Sequence, residues 1–318
     1  MPKDITHWAI ASETQKRLSD QRVRYLINTN YATFLVGAVA YDIPYYATGK
    51  YTCLLEGKAD ELHGIKTCNT WQPIIRLLQS YDITEDNSSW ETILAFVLGC
   101  ITHITIDSQY HPFIYYFTGN SYDSKTSKRN QAIFKHRQLE SHLDLYYWRK
   151  LEYDGPTNSK VLVEQLHRPT LLRILALLYF GKEGDEQRNI VANCLDTYVK
   201  VQGMFNNAGI RYVLNILGLG SAEMKKLSAL FYPKSVKPVY YRLFEHNSEY
   251  RHPSSGELVE ASLDTIYKNC IDFTLSKLSR FSPCITLDEY VKVIQSFSSI
   301  SLETGSECTI PTLMRYFA

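Results

Sequence analysis

Several things are scarce in this 318-residue chain, and each absence removes a class of function. No pair of cysteines stands in a CxxC spacing. The seven cysteines (Cys53, Cys68, Cys100, Cys194, Cys270, Cys284 and Cys308) are scattered and odd in number. This argues against both a disulfide framework and a thiolate zinc site. Charge of one sign is lacking too. Lys and Arg total 34 against 33 Asp and Glu, a formal net charge of +1. A duplex nucleic acid is therefore not an expected partner, because such binders carry a basic excess or stripe. No apolar run of membrane-spanning length is read from the sequence: the best stretch, Leu171 to Phe180, is too short for a bilayer. The opening residues Met1-Pro2-Lys3-Asp4-Ile5-Thr6-His7-Trp8 lack the apolar core and cleavage site of a signal peptide. The expectation is a soluble, cytoplasmic protein without a transmembrane segment. Basic amphipathic helices with large exposed apolar residues, of the sort that lie on membranes, are not evident either.

Helical periodicity is abundant, whereas strand-like alternation, heptads and repeats are not. Ala9 to Leu18, Trp90 to Asp107, Ala132 to Trp148, Pro169 to Phe180, Asn189 to Phe205 and Leu258 to Leu278 place apolar residues at three-four spacing. An all-α fold follows. Gly119 to Asn130, Gly181 to Asp185 and His246 to Gly256 read as breaks, with Pro253 ending regular structure in the third. A boundary near residue 155 divides a ligand-rich part (1–155) from a helical C-terminal half (156–318), the two expected to pack as one unit. Tyrosine is plentiful, with 24 residues.

The most informative segment is Leu98-Gly99-Cys100-Ile101-Thr102-His103-Ile104-Thr105-Ile106-Asp107-Ser108-Gln109-Tyr110-His111-Pro112-Phe113. His103, Asp107 and His111 recur every four residues. Four residues advance a helix face by only about 40°, so the three project along one side. Zinc accepts such nitrogen and oxygen ligands and usually takes four. Apolar neighbours Ile101, Ile104 and Ile106 imply burial, and burying three titratable groups without partners is costly. Pro112 is expected to end this helix near His111. His136 and Glu140, again one turn apart, form a second two-residue clip; taken alone, this segment reads rather as a solvated polar face. Further single positions are His7 in Thr6-His7-Trp8, just before the first expected helix, Asp42 after the apolar run Val36 to Ala40, and His63 in a Gly-flanked loop. The aromatics Tyr45, Tyr46, Tyr110, Phe113, Tyr115 and Tyr116 either line the site or pack the core beside it. Arg251 and His252 are possible phosphate contacts from the C-terminal half.

In order and spacing, the motifs THW, GAVAYDIPYY, ELHG, LGCITHITIDSQYHPF and HRQLESHLD resemble the zinc-dependent phospholipase C family, over about His7 to Asp144. That family has a helical trinuclear-zinc fold shared with single-strand-specific nucleases. The resemblance implies that Asp42, His63, His103 and Asp107 hold a first zinc. It assigns His111, His136 and Glu140 to a second, and His7 and Asp107 to a third, so two to three ions per chain. Five of the nine histidines serve. It implies hydrolysis of a phospholipid or related phosphodiester by metal-activated water, with Asp42 the first candidate for general base and Glu140 the second. In three places the chain departs from the secreted members. Their third zinc is completed by an N-terminal Trp, which is absent here; Pro2, exposed by loss of Met1, offers an imino nitrogen. The Asp107 to His111 gap takes the shorter D-x-x-x-H-P form of intracellular relatives. Ile43 replaces the aromatic that follows the first Asp ligand in choline-preferring members, so choline specificity does not carry over. A nuclease or 3′-nucleotidase on the same cluster, and a non-catalytic protein that zinc merely holds together, are the alternative readings.

Overall fold

The computed structural model describes residues 3–65, 69–81, 90–308 and 313–318. Met1, Pro2 and Cys68 lie outside them, and with Pro2 the suggested imino ligand. The remaining six cysteines are free.

The fold is all-α. Its helices run in the order α1 (Asp4–Arg17), α2 (Gln21–Thr29), α3 (Tyr31–Gly37), α4 (Thr52–Leu62), α5 (Gln72–Ser80), α6 (Trp90–Thr118), α7 (Thr126–Lys150), α8 (Ser159–Val163), α9 (Arg168–Phe180) and α10 (Asp185–Met204). They continue with α11 (Ala208–Leu217), α12 (Ala222–Ser228), α13 (Pro238–Glu245), α14 (Leu263–Leu278) and α15 (Leu287–Gln295). The stretch expected as helix from Leu258 divides. Leu258–Ala261 is a strand, β2, paired antiparallel with β1 (Ser248–Arg251), and the helix starts only at Leu263. Ser262 sets that start by accepting the Thr265 amide. The irregular third break is thus partly a hairpin, whose first strand stops before Pro253.

Helix α6 is the axis of the molecule. Nearly its whole circumference is buried, so it is apolar all round rather than striped. It is also long and apolar enough to cross a bilayer by length and composition, contrary to the reading of its sequence. Its apolar window is 89% buried inside the protein, which is how a core helix passes the same test. Threonines in its interior return their hydroxyls to backbone carbonyls one turn back, Thr102 to Leu98 and Thr105 to Ile101.

Pro112 does not end α6, which runs six residues further to Thr118. Proline removes the donor that the Ser108 carbonyl would use. Gly305, whose own amide donates to Ser301 O, presses against that carbonyl so closely that a Cβ on it would stand 2.4 Å from the oxygen; its φ of +67° also suits glycine. Burial of Phe113, Ile114 and Tyr115 holds the turns beyond.

Helix α3 crosses α6 at two glycines. A Cβ on Gly37 would lie 2.2 Å from the Phe96 carbonyl oxygen, and one on Gly99 2.1 Å from that of Phe34. The backbones therefore touch, and the turn after α3 is set directly against the face of α6 that carries His103. From the C-terminal half, α14 packs on α6 and α1, and α12 and α13 pack on α7. One buried cluster joins Ile10, Ile106, Tyr110 and Leu143 to Phe244, Leu263, Ile266 and Ile271.

A candidate metal centre

Each ligand-type residue reaches the centre from a different element. His7 lies in the first turns of α1, not ahead of it, because α1 begins at Asp4. Its cap comes from far along the chain: the buried Asp144 carboxylate accepts the Ile5 amide (3.3 Å), the Thr6 amide (2.9 Å) and the Thr6 hydroxyl (2.6 Å). A local motif could not reveal such a start. Asp42 stands at the head of a short 3-10 turn, Ile43–Tyr46, and His63 caps the C-terminus of α4. His103, Asp107 and His111 share one side of α6, and His136 and Glu140 share one side of α7.

Asp107 is the hub, and all of these side chains are buried. His7 Nε2 is 3.2 Å from Asp107 Oδ1, and His111 Nε2 is 3.8 Å from the same oxygen. His103 Nε2 is 3.2 Å and His63 Nε2 3.7 Å from Asp107 Oδ2. Asp42 Oδ1 stands 3.2 Å from His63 Nε2 and 3.5 Å from His103 Nε2. His136 Nε2 and Glu140 Oε1 are 2.9 Å apart. Two sets result whose donor atoms lie within 4.8 Å of one another: Asp42, His63, His103 and Asp107, and His111, His136 and Glu140.

Three of the imidazoles are oriented by backbone carbonyls. Nδ1 of His63 donates to Ala59 O (2.8 Å), that of His103 to Ala38 O (2.9 Å) and that of His111 to Leu302 O (2.6 Å). A ring whose Nδ1–H is held in this way turns its Nε2 lone pair inward, the usual outer support of a metal ligand. Nε2 of His7, His103 and His111 and both oxygens of Asp107 are buried without a hydrogen bond of acceptable geometry. A buried polar atom left so is costly unless something else satisfies it. The donor set of imidazoles and carboxylates without thiolates suits zinc, so the residues present fit that ion.

The electrostatics differ from one imidazole to the next. Burial pushes the His111 imidazole well below its ordinary range despite Asp107, which leaves it neutral and able to donate a lone pair. Burial works against the Asp107 carboxylate too, but the positive charge of His103 outweighs it and holds the group ionised well below the usual range. His103 goes the other way: burial lowers it, yet Asp107 and Asp42 together lift it to about 9.

The cluster opens through Asp42, His136 and Glu140 onto a cavity of about 480 Å³. Of the aromatics singled out in the sequence, Tyr45, Tyr46 and Tyr115 line this cavity. Tyr110 and Phe113 are core residues, and Tyr116 packs against that core. Arg251 and His252 do not reach it. Arg251 donates to Gly256 O and His252 Nε2 bonds Thr304 O, so both hold the hairpin and a C-terminal turn.

Other lining residues carry no local signal in the sequence. Lys3 and Asp4 arrive with the start of α1, Tyr122 with the loop before α7, and Glu303 from the far end of the chain. Burial and the nearby Asp144 raise the Asp4 carboxyl; burial likewise lowers the Lys3 ammonium, which Asp144 partly offsets. Lys3 Nζ lies over the Phe205 ring at 3.8 Å and the Tyr232 ring at 4.3 Å. Glu303 is 7% exposed, and its Oε2 has no hydrogen-bond partner.

A helical scaffold enclosing histidines and carboxylates around a shared aspartate, open to a cavity, is an arrangement that could hold a cluster of metal ions. A family model described as zinc dependent phospholipase C matches residues 6–180, more than half of the sequence. The chain belongs to the zinc-dependent phospholipase C family. No curated protein and no solved structure matches it.

Proposed function

We propose that the protein is a zinc-dependent phosphodiester hydrolase that cleaves a phospholipid in the manner of a phospholipase C, releasing diacylglycerol and a phosphorylated head group. The observation that carries this is the pair of buried ligand sets meeting at Asp107 and opening on one cavity through Asp42, His136 and Glu140. In this reading Asp42, His63, His103 and Asp107 hold one ion, and His111, His136 and Glu140 a second. His7 and Asp107 offer a third position, giving two to three ions. Zinc bound there would supply Lewis-acid polarisation of the phosphate and a water of lowered pKa.

The chain's own residues do the rest. Asp42, on the cavity wall, takes the proton of the attacking water as its oxygen adds to phosphorus; Glu140 is the second choice for this base. The bond from phosphorus to the glycerol oxygen breaks, and the leaving alkoxide takes up the proton that the base removed from the water, which restores the carboxylate. Arg137 and Lys3 bring positive charge to the phosphate side of the cavity. Glu303 with Tyr45, Tyr115 and Tyr122 makes an acidic, aromatic wall suited to a cationic head group.

That wall separates this reading from a nuclease or 3′-nucleotidase. Asp4, Glu56, Asp60 and Glu303 also border the cavity and would repel a second phosphate of a polynucleotide. The cavity also favours a catalytic over a merely structural zinc site, since structural sites are closed by protein ligands. The test is turnover by zinc-replete protein on a panel of phospholipids, single-stranded nucleic acid and a 3′-nucleotide. Phospholipid cleavage supports the proposal. Cleavage of the nucleotides alone, or of nothing on the panel, would overturn it.

A further inference from the structure

Helix α11 is an anomaly. None of its residues is buried, yet its sequence AGIRYVLNIL is mostly apolar. Tyr212 is 67% exposed and Val213 52%, Leu217 follows at 51%, and Leu219 in the turn beyond reaches 90%. A helix on the surface of a globular protein normally turns polar residues outward. A contiguous apolar patch of this kind marks an interaction surface.

Beside it lies a second cavity, of about 360 Å³, walled by Arg211 of α11 and by Lys234 and Lys237. No carboxylate is among its lining residues. An apolar helix flanked by basic groups matches an anionic lipid surface, with apolar side chains entering the head-group boundary and cations meeting lipid phosphates. The match to a second copy of this chain is poorer. A two-fold contact places a patch against itself, which would bring these three cations towards their own counterparts.

The patch is linked to the metal site through two packed helices. Helix α11 packs on α12, and α12 packs on α7, which carries His136 and Glu140. Leu227 of α12 is both exposed and part of the wall of the metal cavity.

We infer that α11 and the adjacent Arg211–Lys234–Lys237 cavity dock the protein on an anionic phospholipid surface. This deepens the phospholipase reading and rests on it for its purpose, but docking is measurable without catalysis. Flotation of the full chain with vesicles, zinc-stripped and zinc-replete, tests it. Vesicles of phosphatidylcholine alone are compared with equimolar phosphatidylcholine and phosphatidylglycerol. The wild type is expected to float with the anionic vesicles and to be released by salt, which screens surface charge. Val213→Asp with Leu217→Asp should lose at least roughly tenfold in vesicle affinity, and Lys234→Glu with Lys237→Glu a similar factor on anionic vesicles only. All four positions lie away from the ligand residues, so hydrolysis of a monomeric short-chain phosphodiester should be unchanged. Absence of vesicle binding by the wild type, wild-type binding by both double variants, or a wild-type dimer that the aspartates convert to monomer would each overturn the docking face. Vesicle binding without turnover of any phosphodiester would leave the docking face standing and remove the phospholipase reading; turnover without vesicle binding would do the reverse.

Discussion

Asp144 shows how one side chain prepares the centre without touching it. Its carboxylate takes the two first-turn amides of α1, the Thr6 hydroxyl and the Tyr232 hydroxyl (2.7 Å), all buried. Truncating it strands these donors away from water. Asp144→Ala should cost about 3 kcal/mol or more in urea unfolding; a loss under about 0.5 kcal/mol would mean the donors find other partners. His142 is a second residue with a legible consequence. Its Nδ1 accepts the Lys237 amide, and its ring stacks on Tyr240 at 4.4 Å. Burial, with Lys237 and Arg211 nearby, lowers its pKa from an ordinary 6.5 to about 4. The folded state thus keeps it neutral where the unfolded chain protonates it. Its contribution is present above about pH 6.5 and is lost as pH falls toward about 4. Measured against His142→Asn, which keeps an acceptor but does not titrate, the wild type should lose relative stability between pH 7 and pH 5. An unchanged difference would show that the ring is not held neutral.

Among the elements, α3 and α6 do the most to place ligands. Their glycine crossing fixes the turn that delivers Asp42 and the Ala38 carbonyl that orients His103. A methyl at Gly99 has nowhere to go, because it would meet the backbone of Phe34 and Gly37 rather than a flexible side chain. Gly99→Ala should destabilise by about 1–3 kcal/mol and weaken zinc binding by parting Asp42 from His103. Wild-type stability and metal content together would show that the helices can separate without harm. The same elements mark the limits of the sequence. The i, i+4 triplet on α6 and the clip on α7 were legible because helix geometry alone puts such residues on one face. The start of α1 and the continuation of α6 past Pro112 were not. Each depends on groups distant in the chain, the Asp144 carboxylate in one case and the packing that buries Phe113, Ile114 and Tyr115 in the other, and local propensity cannot sense either. The strand at Leu258–Ala261 was missed for a similar reason: in so short a segment the three-four spacing is indistinguishable from a half-buried hairpin.

At the scale of the molecule, the N-terminal half supplies every ligand-type side chain and the C-terminal half closes round them. Leu302 orients His111, Glu303 completes the cavity wall, and α14 buries the far side of α6. These contributions carry no motif, since one is a backbone carbonyl and another a lone glutamate. The exposed face of α11 carries no signal of its own in the sequence, since only the fold shows that Tyr212, Val213 and Leu217 stay exposed while Ile210 and Leu214 pack against the core. The family was readable from motifs, as were the residues that the fold gathers into the two buried sets; the chemistry of the cavity came only with the packing.

The central claim is that Asp107 joins the two ligand sets into one metal cluster. Elemental analysis of purified wild type and Asp107→Ala, both confirmed folded by circular dichroism, tests it most directly. The prediction is about two to three zinc ions per wild-type chain, water completing the usual four or so ligands of each, and a sharp fall in the variant. Wild-type protein that takes up no zinc after supplementation, or a variant that retains the full complement, would contradict it.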